Sequence, residues 1–136
     1  MQVREFMTTN PVTVHPDTTM PAANELMKNG GFRRLPVVDN HQKVVGIITD
    51  RDVKHAMPSD ATSLSIWEIN YLVAKIKVSE IMSHPIHFVL EDASLEYAAE
   101  QMLKHNIGGM PVMHGDQLRG VITTTDVLRA FVGHRE

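Results

Sequence analysis

Gly46-Ile47-Ile48-Thr49-Asp50-Arg51-Asp52-Val53 returns 74 residues later as Gly120-Val121-Ile122-Thr123-Thr124-Thr125-Asp126-Val127. In both copies a glycine and two β-branched residues lead into Thr-x-x-Asp. This is the pattern of a strand that ends where a helix begins, with the threonine placed to cap that helix. Working outward, the match continues. Leu35-Pro36-Val37-Val38 corresponds to Met110-Pro111-Val112-Met113 at a shift of 75, and the one-residue difference falls in the turns between, Asp39-Asn40 and His114-Gly115-Asp116. Asp17-Thr18-Thr19-Met20 corresponds to Asp92-Ala93-Ser94-Leu95. Val3-Arg4-Glu5-Phe6-Met7 with Asn10-Pro11-Val12-Thr13-Val14 corresponds to Val78-Ser79-Glu80-Ile81-Met82 with His84-Pro85-Ile86-His87-Phe88. Self-similarity over this span makes the chain a tandem repeat, and that sets its architecture ahead of any single residue.

Each copy predicts the same elements. Thr19 and Ser94 are N-caps for helices whose apolar residues share a face: Met20, Ala23, Leu26 and Met27 in the first, Leu95, Ala98, Ala99, Met102 and Leu103 in the second. Asn29-Gly30-Gly31 is a helix stop. The runs 35–38 and 44–49 form a hairpin, repeated over 110–113 and 118–123, and a short helix follows each, near 50–57 and 124–132. The fold class expected is therefore mixed α/β (α+β), two β-α-β-β-α units stacked as a pseudo-two-fold pair, since one such unit cannot cover its own sheet. The division is repeat 1 over 1–57, a linker over 58–77 and repeat 2 over 78–136. Within the linker, Leu64 to Ile76 carries Trp67, Ile69, Leu72 and Val73 and predicts an extra helix capped at Ser63 or Ser65, in contact with the core or a second subunit.

Composition narrows the function classes. Apolar residues make up 43% of the 136 and charged residues 21%, an ordinary globular balance from which one shared core is expected. There is no cysteine, so thiol nucleophiles, thiolate metal sites and disulfides are excluded. The formal net charge is -3 and Arg33-Arg34 is the only adjacent basic pair, which does not suit a phosphate-backbone interface, so no nucleic-acid partner is expected. The N-terminal residues lack the apolar core of a signal peptide and no window approaches a membrane span, so a soluble cytoplasmic protein with no membrane partner is expected. Neither a Walker loop nor a nucleophile elbow is present, and the reading is not an enzyme.

The ordered recurrence of Gly46 to Asp52, Gly120 to Asp126, Leu35-Pro36-Val37-Val38 and Met110-Pro111-Val112 resembles the CBS-domain pair, or Bateman module, over essentially the whole chain. The stretch Trp67-Glu68-Ile69-Asn70-Tyr71-Leu72 further looks like stand-alone CBS proteins of the acetoin-utilisation type, some of which continue into a further C-terminal domain. The resemblance implies a cleft between repeats that takes an adenosine-containing ligand such as AMP, ADP, ATP or S-adenosylmethionine. It implies two sets of contacts. One set is Val12, Arg33, Arg34 and Leu35 with Thr123 and Asp126; the other is Thr49 and Asp52 with Ile86, Gly109 and Met110. A carboxylate can accept both ribose hydroxyls, and a threonine hydroxyl with helix N-terminal amides can donate to phosphate. Arg33 and Arg34 align with Gly108 and Gly109, so the set containing Asp126 alone gains guanidinium donors, and a phosphorylated nucleotide is expected to bind more tightly there. Arg51 and Lys54 add charge to either set or are solvated surface. No cofactor is required; the nucleotide is a regulatory ligand.

The opposing reading of Thr-x-x-Asp is a capping box with no ligand role, which makes the chain a scaffold for dimerisation or protein docking. The family also implies a homodimer built through the short helices containing Val53 and Val127-Leu128, and a regulated protein that the residues do not identify. His84-Pro85-Ile86-His87 lacks a carboxylate at metal-ligand spacing, so no metal is expected.

Overall fold

The computed structural model describes residues 1–58 and 63–133. Part of the expected linker, 59–62, therefore lies outside the described residues. The elements run β1 (Thr8–Thr9), α1 (Met20–Gly30), β2 (Arg34–Val38), β3 (Val44–Thr49), α2 (Asp50–Ala56), α3 (Ile66–Val73), α4 (Val78–Ile81), β4 (Val89–Leu90), α5 (Leu95–His105), β5 (Gly109–His114), β6 (Gln117–Thr123) and α6 (Thr124–Gly133). A single 3-10 turn over Val3–Glu5 precedes them.

The two copies fold by the same local rules. Thr19 accepts a hydrogen bond from the Ala22 amide and starts α1, and Gly31 ends it in the left-handed region at φ 71°. Ser94 accepts from the Tyr97 amide and starts α5, and Asn106 ends it at φ 53°. The hairpins agree in register. Arg34 faces Thr49 and Val37 faces Gly46 in one, with a bulge at Val37/Val38; Gly109 faces Thr123 and Val112 faces Gly120 in the other, with a bulge at Val112/Met113. The expected faces of α1 and α5 are buried at Met20, Ala23, Met27, Leu95, Ala98 and Met102. Leu26 and Leu103 are corrections to that reading, being 41% and 84% exposed. Ser65, not Ser63, caps α3, and Trp67 and Leu72 on that helix are exposed and are not core residues.

The chain forms two compact units, and these are not the two sequence copies laid end to end. One comprises residues 12–85; the other comprises residues 1–11 together with residues from 86 onward. In the first-repeat unit, Val14 bridges Val37 in parallel and Ser83 bridges Ile47 in antiparallel, flanking the β2–β3 pair on both sides. In the second-repeat unit the sheet order is β1-β6-β5-β4, so β4 and β1 take the same two flanking places. Each unit thus receives one flanking segment from the other copy's sequence. Val78 is fully buried with Val14, Met20, Leu35 and Ile48. Val3 is fully buried with Val89, Met102, Met110 and Ile122. Burying one such valine contributes about 1.5–3 kcal/mol, which anchors a short flanking segment that has few backbone hydrogen bonds of its own.

Candidate functional site

Each hairpin and the helix after it converge at one strand end. In the first-repeat unit the Asp50 amide donates to the Arg33 carbonyl at 2.9 Å, tying the start of α2 to the residue before β2. The Thr124 amide donates to the Gly108 carbonyl at 3.0 Å in the second-repeat unit and does the same for α6 and β5. Asp50 and Thr124 were not singled out by sequence reasoning. The signal available was their place as the first helical residue after a capping threonine.

The Thr-x-x-Asp motifs close as capping boxes in both units. The Thr49 amide donates to Asp52 Oδ2 at 2.9 Å, and the Asp52 amide donates back to Thr49 Oγ1 at 3.1 Å. Asp126 Oδ2 accepts two hydrogen bonds, from the Thr123 amide at 2.8 Å and the Thr123 hydroxyl at 3.0 Å. The Asp126 amide donates to Thr123 Oγ1 at 3.3 Å. Asp126 is 7% exposed, the only buried charged residue among those described, whereas Asp52 is half-buried. The other oxygen, Asp126 Oδ1, stands 4.0 Å from Arg129 Nη1, at the limit of an ion pair. One oxygen of each carboxylate, Oδ2, is therefore committed to the cap, and Oδ1 takes no part in it.

The predicted contacts divide by unit. Arg33, Arg34 and Leu35 lie at the same strand end as Thr49 and Asp52, since Arg34 faces Thr49 across the hairpin. Gly109 and Met110 lie beside Thr123, since Gly109 faces it. Leu35 and Met110 have their side chains fully within the two cores, so only their backbone can meet a ligand. Val12 is exposed and Ile86 half-buried, leaving both side chains able to lie against a flat ring. Arg33 is exposed and Arg34 half-buried. Among the described residues no group of three or more His, Cys, Asp or Glu could hold a metal ion, and no helix is long and apolar enough to cross a membrane.

The model of the CBS domain family matches residues 3–59 and 78–133. The chain belongs to the CBS-domain family. Its tandem repeats are the CBS-pair fold. Its solved neighbours include the CBS domain pair of protein MJ0100 in complex with 5'-methylthioadenosine and S-adenosyl-L-methionine. That structure is 27% identical with a TM-score of 0.82, over 99% of this chain and 98% of that one. CBSX2 in complex with AMP is 28% identical, with a TM-score of 0.79 over 99% and 98% of the two chains. A putative acetoin utilization protein from Vibrio cholerae is 30% identical, with a TM-score of 0.79 over 98% and 91%. The chain spans less than half the length of the first curated relatives it matches, from 21% to 45% of four of them.

Proposed function

We propose that the chain is a regulatory, non-catalytic module that binds an adenosine-containing nucleotide and transmits a conformational change to a partner protein. The observation that carries this reading is the Thr-x-x-Asp strand end, built twice with one carboxylate oxygen held by the cap and the other left over. It is supported by relatives of 27–28% identity and nearly full overlap that were solved with adenosine ligands. The contact sets implied by the resemblance are Val12, Arg33, Arg34, Leu35, Thr123 and Asp126 for one nucleotide, and Thr49, Asp52, Ile86, Gly109 and Met110 for a second. Arg33 and Arg34 give the first set its preference for phosphate, because a guanidinium offers paired donors that a glycine does not. In this reading the nucleotide is a regulatory ligand and the protein is a soluble cytoplasmic homodimer.

The scaffold reading has its own observation, since both capping boxes are complete without any ligand. A thermal-shift titration with AMP, ADP, ATP, NAD and S-adenosylmethionine separates the two. A ligand at about a hundred times its dissociation constant stabilises the folded form by about 2.7 kcal/mol. The variants to compare are Asp52→Asn and Asp126→Asn, which keep an oxygen for the cap but remove the charge. A shift lost in one variant identifies a sensor and its occupied set. No shift with any of these ligands at millimolar concentration would leave the scaffold as the function.

A further inference from the structure

We propose that His87 and His105 form an acid-sensitive latch that holds the segment around Ile86 to Phe88 against the end of α5. The rings stack with centroids 3.8 Å apart and planes 18° from parallel. Face-to-face contact at that distance suits two neutral imidazoles and is opposed once the rings carry positive charge. The segment they fasten has little else to hold it. Between Ser83, whose amide bonds the Ile47 carbonyl, and Val89, where β4 begins, the chain adopts no regular secondary structure.

The surroundings of the pair favour the uncharged state. Desolvation first, then the positive potential of His87 from the facing segment and of Lys104 on α5 itself, hold His105 below the ordinary histidine value of 6.5. Among the described residues no carboxylate forms an ion pair with either ring, so nothing offsets protonation. Charge being disfavoured in the stacked state, the latch is intact above pH 6.5 and is lost as pH falls through the lowered value of His105. The device belongs to the second repeat alone: the positions of His87 and His105 are taken in the first copy by Thr13 and Gly30. Ile86, one of the proposed nucleotide contacts, rides on the same segment, so acidification also weakens that contact. This consequence rests on the nucleotide reading, whereas the latch does not.

The test follows both histidine ring protons by NMR and the amide exchange of residues 89–91 in the ligand-free protein. His105 should titrate at lower pH than a free histidine, and His87→Asn should move it back upward. After correction for intrinsic exchange, protection of residues 89–91, where the fastened segment enters β4, should fall by about tenfold between about pH 7.5 and 5.5 in the parent chain and stay flat in His105→Gln. An ordinary titration of His105 that ignores His87→Asn, or an equal loss of protection in His105→Gln, overturns the latch. His87 is exposed and His105 half-buried, outside both cores, so the variants should fold.

Discussion

A Cβ built on Gly120 would lie 2.4 Å from the carbonyl oxygen of Thr8, a backbone atom of the segment that flanks β6. The equivalent Cβ on Gly46 would lie 2.5 Å from Met82 Sδ, with the Ser83 carbonyl oxygen at 3.1 Å. The two glycines occupy matching places and meet the same pair of groups, a methionine side chain and the next residue's carbonyl, but the nearer group is backbone at Gly120 and side chain at Gly46. A methionine side chain swings away at little cost, whereas displacing Thr8 breaks the β1–β6 pairing. Gly120→Ala should therefore destabilise the protein by about 2–4 kcal/mol and Gly46→Ala by about half as much. Urea unfolding of the two variants measures the difference, and equal losses would contradict this account.

The exchange of flanking segments makes a prediction about location. Val3 stands in the first copy's sequence but is buried with Met110 and Ile122, and Val78 stands in the second but is buried with Leu35 and Ile48. Val3→Ala and Val78→Ala should each cost about 1–3 kcal/mol. Native-state hydrogen exchange should show the loss at Val112 and Ile122 for Val3→Ala, and at Val37 and Ile48 for Val78→Ala. The reverse assignment would mean that each segment serves its own copy.

This exchange was not legible in the sequence, for a definite reason. Val3 to Met7 and Val78 to Met82 have the same pattern, so either one would bury its valine equally well on either sheet. The hairpins and the four caps at Thr19, Thr49, Ser94 and Thr123 were legible because short Val- and Ile-rich runs bounded by turn residues, and capping, are local signals. The helix faces were legible only at their centres. At about 100° per residue, Leu26 and Leu103 stand roughly 60–80° outside the arc of the fully buried residues, where an apolar side chain no longer reaches the core. At the candidate site the sequence named both meanings of Thr-x-x-Asp, cap and ligand contact. Geometry shows that the cap consumes one carboxylate oxygen and leaves its twin, a division no residue pattern encodes.

The exposed side of α5 and α6 bears on the proposed homodimer. A groove of about 510 Å³ runs between these helices, lined by Met102, Leu103, Ile107, Val127 and Leu128. Leu128 is 62% exposed and Phe131, beyond the groove, 68%. A charge set into such a surface costs little in a monomer and a great deal inside a subunit contact. Leu128→Asp should leave the melting temperature of a dilute sample nearly unchanged and convert dimer to monomer in light scattering. A monomer in the parent chain at every concentration would refute the dimer.

The turn after β2 carries a prediction about acid. Asp39 Oδ1 accepts hydrogen bonds from the His41 amide at 2.8 Å and the Lys43 amide at 3.0 Å, closing the hairpin from inside. The Lys43 amide is the larger cause that holds the Asp39 carboxyl below its ordinary value of 3.8, and the His41 amide adds to it. A lowered carboxylate stabilises the fold above the unfolded value and loses that contribution as pH falls through the folded one. Asp39→Asn keeps an acceptor oxygen but cannot titrate. The parent should thus melt above Asp39→Asn near neutral pH, and the gap should shrink as pH is lowered below about 4. A gap that stays constant from neutral pH into acid would show that the Asp39 charge contributes nothing to the turn.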